Sequence, residues 1–162
     1  MWSCSWRKFS ALLAFVTLSA CGFAPAYGPT GDADSLTRNI ALTTPETRFD
    51  YLLAQQVERR LGHATNAEYT LDVDIATSEE RIAVTNTNVT RRFEIIGRAD
   101  YTLTANDGTT ITKGNVGSFT GYSATGSTVA TTAARTDARE RLMIILADQI
   151  VTRLIAAAPA AG

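Results

Sequence analysis

The sequence predicts an α+β fold in which two helices pack on one face of a four-stranded mixed sheet, in the order β-α-β-β-β-α. Three patterns lead there. Phe49, Leu53, Val57 and Leu61 recur every fourth residue, with Leu52 beside them, which marks a helix with one apolar stripe. Phe93, Ile95, Gly97, Ala99, Tyr101 and Leu103 alternate with Arg92, Glu94, Arg98, Asp100, Thr102 and Thr104, which marks a strand with one buried face. From about Val129 to Ala157 a broad helical arc collects Ala138, Leu142, Met143, Ile144, Leu146, Ala147, Ile150, Val151, Leu154 and Ile155. Opposite that arc lie Arg141, Asp148, Gln149 and Thr152, with Ile145 among them as an apolar residue that has no core role. One sheet carrying both helices on a single face is the simplest way to bury these stripes, and it leaves the reverse face polar, in Thr, Asn, Arg and Asp.

Taken in order, the chain opens with Arg7 and Lys8, then a run from Phe9 to Leu18 in which Ser10 and Thr17 alone are polar. A basic start, a short apolar run and small residues before a cleavage point make an export signal. The run is about half of what a membrane-spanning helix needs. Leu18-Ser19-Ala20-Cys21 at its end resembles the lipobox of bacterial lipoproteins. That resemblance implies acylation of Cys21 and cleavage between Ala20 and Cys21. Two or more acyl chains hold a protein stably at a bilayer, where one holds it marginally.

The expected organisation is a signal at 1–20, a lipidated tether at 21–37, one domain at 38–158 and a tail at 159–162. Cys4 leaves with the signal, so no disulfide can form within the mature chain. Taking 20 residues from 162 leaves 142, enough for one domain with a core. Removing Arg7 and Lys8 from the 15 basic side chains leaves 13 against 16 acidic ones, a formal charge of −3. That balance, with no basic run interleaved with aromatics, argues against nucleic acid as a partner.

The tether is rich in Gly, Pro, Ala and Asp, with Phe23 and Tyr27 placed either to dock on the domain or to sit at a membrane interface. Ile40 and Leu42 signal a short strand. Thr44-Pro45-Glu46 reads as a helix start, with Thr44 as cap and Pro45 first, and Gly62 suits the position past the end of a helix spanning about Pro45 to Leu61. His63 reads as a solvated loop residue. Tyr69, Leu71, Val73 and Ile75 then alternate with Thr70, Asp72 and Asp74. The apolar set next moves to Ile82 and Val84, which predicts a bulge near Ser78–Arg81. Asn86-Thr87-Asn88 is a hairpin candidate, and Asn106-Asp107-Gly108 a strong one. Thr109 to Tyr122 forms the fourth strand, bent or at an edge because of Gly114, Gly117 and Gly121. Pro159 marks the end of the last helix.

Catalytic signatures are missing from the sequence: there is no Gly-x-Ser-x-Gly, no His pair, no Cys cluster and no phosphate-binding Gly-Lys-Ser/Thr. Asp72 and Asp74 share a strand face, an arrangement that serves solvation more often than acid/base work. Glu79-Glu80-Arg81 reads as a solvated turn. Neither an enzyme nor a metal or cofactor site is expected. Arg91, Arg92 and Arg98 gather on one strand, with Lys113 on a neighbour, and a guanidinium fork matches the oxygens of an anionic lipid head group. Arginine placed there for solubility is the competing explanation.

Cys21-Gly-Phe-Ala-Pro-Ala-Tyr-Gly28 after the lipobox resembles the start of the LptE family of lipopolysaccharide-assembly lipoproteins, in its alphaproteobacterial form. The run from Ser123 to Arg141, leading into Leu146-Ala-Asp-Gln-Ile150 and Arg153-Leu154, is similar to that family's loop and final helix. Ala26 departs from the pattern, where a larger apolar residue would precede Tyr27. The resemblance implies a non-enzymatic component of the outer membrane. It would bind the LptD β-barrel, sit within its lumen, and assist delivery of lipopolysaccharide to the outer leaflet. The family's lipopolysaccharide-contacting basic residues find no matching motif here, so Arg91, Arg92, Arg98 and Lys113 rest on local chemistry alone. An auxiliary lipoprotein of a lipid or solute transporter, and a lipid-tethered periplasmic enzyme or inhibitor domain, are the other classes compatible with the sequence.

Overall fold

The computed structural model describes residues 36–84 and 90–158; Ala20, Cys21, the hairpin candidate Asn86-Thr87-Asn88 and Pro159 lie outside them. The elements are β1 (Ile40–Leu42), α1 (Arg48–Leu61), β2 (Tyr69–Val84), β3 (Thr90–Ala105), β4 (Thr110–Ser123) and α2 (Thr128–Ala157). They form one four-stranded sheet in the order β1-β2-β3-β4, with β1 parallel to β2 and the other pairs antiparallel. The expected α+β class is therefore the observed one.

Helix α1 starts later than Thr44-Pro45-Glu46 suggested. Thr47 is the cap: its hydroxyl accepts from the Asp50 N–H while the Asp50 carboxylate accepts from the Thr47 N–H. Two otherwise orphaned donors are satisfied reciprocally, which outcompetes the single bond available to Thr44. At the other end Gly62 takes φ +84 and donates its N–H to the Glu58 carbonyl. A Cβ there would meet Arg38 Cγ at 2.8 Å, so both conformation and space ask for glycine.

Odd-numbered residues of β2 and β3 and even-numbered residues of β4 face the helices. Leu71, Ile95, Ala99, Tyr101, Leu103, Val116 and Tyr122 are buried there. Against them α2 presents Ala138, Leu142, Met143, Leu146, Ala147, Ile150, Val151 and Leu154, all buried. Ile144, placed by periodicity in the buried arc, is instead exposed, and Ile145 is half-buried. Helix α1 adds Leu53, Val57 and Leu61, and Leu36 completes the same core although the sequence suggested tether at that position. Fully burying a leucine contributes about 1.5–3 kcal/mol, so this layer dominates the fold's stability.

Gly97 lets α2 approach closely, because a Cβ there would lie 2.8 Å from Leu142 Cδ2 and 3.1 Å from Leu146 Cδ1. Lengths differ between the helices. At 1.5 Å per residue the 30 residues of α2 span roughly 45 Å and the 14 of α1 roughly 21 Å. Arg48 bonds Glu140 and Arg60 bonds Asp148, so α1 lies beside the later part of α2 alone. The first turns of α2 project past it, over the β2–β3 end of the sheet.

Two strand features correct the sequence reading. The β2–β3 register is continuous through Arg81↔Phe93, and the irregularity falls between Arg81 and Val84 rather than at Ser78–Arg81. Glu79-Glu80-Arg81 is thus extended strand and not a turn. Among the described residues β4 pairs with β3 alone, an edge strand as expected.

Candidate lipid- and partner-facing surface

The sheet face turned away from the helices carries the charged residues singled out above. Register fixes their positions: Arg92 is opposite Ser123, Arg98 is opposite Gly117, and Lys113 is opposite Thr102. All three are exposed. Arg92 and Arg98 stand six residues apart on one strand, roughly 20 Å, and Lys113 lies about four residues beyond Arg98, roughly 13 Å. Between them come the cross-strand pairs Glu80↔Glu94 and Asp74↔Asp100. The structure therefore puts the three cations on one face without bringing them together. Charge alternates along the sheet instead of converging on a single pocket. Arg91 belongs to β3, and its side chain lies outside the described residues.

This face is not uniformly polar, as the sequence reading expected. Phe119 is 64% exposed and Ile82 53%, while Ile96, opposite Phe119, is half-buried. Gly117 and Gly121 flank Phe119 at two residues on either side, and a Cβ at either would touch only a backbone oxygen at 3.6 Å. No side chain of its own strand therefore crowds the ring on that face. Phe119, Ile82, Arg92, Glu94 and Ser123 line a shallow cleft of about 310 Å³. A guanidinium beside an apolar shelf suits an amphiphile, the charge taking an anionic group and the shelf taking methylenes. Sequence reasoning missed Phe119 because the glycines hid the strand's phase. Its signal was parity: it is odd in a strand whose buried residues, Val116, Thr120 and Tyr122, are even.

On the helix side of the same end lies a polar cluster. The Tyr122 hydroxyl donates to Glu79 Oε1 at 2.8 Å, Arg135 Nε donates to Glu79 Oε2 at 2.7 Å, and Arg139 stands 3.7 Å from the same carboxylate. Burial pushes the Glu79 carboxyl up, but the bonds from Tyr122 and Arg135 and both guanidinium charges outweigh it and hold it below the ordinary glutamate value. Burial, with the Glu79 bond, raises Tyr122. Phe93 stacks on Tyr122 at 5.2 Å, and Arg139 covers Phe49 at 5.6 Å. The buried Thr120 hydroxyl donates to the Ala138 carbonyl at 2.8 Å. These contacts anchor the projecting part of α2 and place the apolar shelf on the opposite sheet face.

Asp72 and Asp74 are exposed on the sheet's outer face, and His63 is exposed in its loop beside Glu58 at 3.2 Å. Among the described residues no group of three His, Cys, Asp or Glu side chains could hold a metal ion, and no helix is long and apolar enough to cross a membrane.

This fold superposes on a set of solved bacterial lipoproteins. A Caulobacter crescentus CB15 crystal structure described as a candidate lipoprotein superposes with TM-score 0.63 at 27% identity, covering 76% of this chain and 93% of that one. The rare lipoprotein B of Shewanella oneidensis shares the fold at TM-score 0.58 and 10% identity, over 73% of this chain and 92% of that one. A minor lipoprotein of Acinetobacter baumannii does so at 0.54 and 15%, over 72% and 88%. No curated protein matches the sequence. Residues 37–154 match the family model LptE, lipopolysaccharide-assembly, and the chain belongs to that family.

Proposed function

We propose that this lipopolysaccharide-assembly lipoprotein acts at the outer membrane by seating in an LptD-type β-barrel and assisting transfer of lipopolysaccharide to the outer leaflet. The observation that carries the reading is the family match across 37–154, which spans every element from β1 through most of α2. In this reading residues 1–20 are removed between Ala20 and Cys21, Cys21 carries the lipid, and the stretch that follows links it to a domain that runs to 158 and whose core already takes in Leu36, with a short tail at 159–162. The work is binding rather than catalysis. Arg92 with the Phe119–Ile82 shelf is the contact for an anionic amphiphile, and Arg91, Arg98 and Lys113 extend it as separate weak sites along the sheet.

Capture of the tagged chain from detergent-solubilised membranes tests the partner: a large heat-modifiable barrel should co-purify, and recovery of inner-membrane transporter subunits alone overturns the reading. Mass measurement of the mature chain should exceed that of residues 21–162 by the lipid. For the contact, Arg92→Glu with Phe119→Ser should weaken lipopolysaccharide binding by roughly tenfold or more, the loss of about 1.4 kcal/mol or greater. Arg98→Glu alone should do less, because Arg98 does not line that cleft.

A further inference from the structure

Strand β2 is far longer than the strand that covers its outer edge. β1 pairs only with Tyr69–Leu71, so among the described residues β2 from Asp72 onward has a neighbour on one side alone. The Tyr69 N–H donates to the Asn39 carbonyl and the Leu71 carbonyl accepts from the Thr43 N–H, each at 3.0 Å. Odd-numbered residues of β2 therefore turn their main-chain groups to this edge, and by the same alternation Val73 and Ile75 do so where β1 has ended. Past Thr43 the chain turns away through Pro45 into α1. It leaves a cleft of about 360 Å³, lined by Leu42, Leu53, Ala54, Val73 and Ile75 on the helix side and bordered by Asp72 and Asp74.

An unpaired edge above an apolar trough takes an added strand, whose main chain supplies affinity and whose alternate side chains supply specificity. Here the alternation is legible from β2 itself. Val73 and Ile75 are half-buried toward the helices, while Asp72 and Asp74 are exposed on the outer face, and Glu46 adds a third exposed carboxylate at the rim. We propose that the Asp72–Ile75 edge accepts an extended segment of a partner protein, with apolar residues at every second position turned in and lysine or arginine between them turned out. Charge argues against a second copy of this chain. An antiparallel pairing of two such edges about Val73 would set Asp72 against Asp74 in both directions, and like charges directly opposite destabilise a sheet. The inference does not rest on the lipopolysaccharide reading, which uses a different part of the sheet.

The test titrates the full mature chain with a synthetic eight-residue peptide of alternating Lys and Val, following amide hydrogen exchange residue by residue. Exchange at Val73 and Ile75 should slow by about tenfold or more, equivalent to about 1.4 kcal/mol of added protection. Asp72→Asn with Asp74→Asn should weaken binding several-fold and flatten its dependence on salt. Val73→Pro removes an edge donor that no sheet bond among the described residues uses, so it should cut affinity roughly tenfold while the chain still melts cooperatively. Unchanged exchange at 73 and 75, equal protection by a Glu/Val peptide, or a dimer of the free chain that Val73→Pro dissolves would each overturn the proposal.

Discussion

The two ends of the sandwich are built on different principles. Near the start of β2, both helices close over the sheet, and Leu61, Leu71, Leu103 and Leu154 belong to one fully buried core. At the far end α2 alone among the described residues covers the sheet, and its place is set by Glu79, Thr120, Tyr122, Arg135 and Arg139. Dispersion and burial are cumulative and insensitive to direction, whereas charged hydrogen bonds are few and directional. The first end should therefore be a rigid platform. The second, which carries the exposed Phe119 and Ile82 on its reverse face, should be the one that opens first.

The contrast can be broken most severely at the platform. Leu154→Ala empties a fully buried site and should cost about 2–5 kcal/mol, read by urea unfolding as a loss shared by both ends. Glu79→Gln should cost about 1–2 kcal/mol and should raise amide exchange around Thr120–Tyr122 well before it does so around Leu71. The same variant carries a pH signature. Because Glu79's folded carboxyl titrates below its unfolded one, its contribution is complete above the ordinary glutamate value of about 4.3 and fades as pH falls through the folded value. The stability gap between the natural chain and Glu79→Gln should accordingly close in acid. Smallest of the three, Thr120→Val should cost about 1 kcal/mol by leaving the Ala138 carbonyl without its hydroxyl donor. An equal response of both ends to Glu79→Gln would erase the distinction.

The platform was legible in the sequence and the far end was not, for the same physical reason. Period-two and period-four patterns record which side of an element is buried, so Phe93–Leu103 and the α2 arc could be read directly. Glu79 is held by residues 43 and 56 positions away, and no local pattern reports such a meeting. From the sequence alone Glu79-Glu80-Arg81 therefore reads as a solvated turn, with the bulge beside it. The helix start failed for another reason: two threonines competed to cap α1, and Asp50 decided for Thr47. Parity also placed Arg92 and Arg98 on one face, to which the strand register adds Lys113, yet sharing a face says nothing of convergence. Along a strand the same count of residues that aligns them also separates them.

Gly97 gives the long helix a fulcrum. It faces Leu142 and Leu146, close to the middle of the 30-residue rod. A methyl group there would act as a wedge under a lever: it would press on both leucine side chains, and whatever displacement they did not absorb would tilt the overhanging arm. The missing side chain thus governs how firmly the distant Arg135 can reach across to β2.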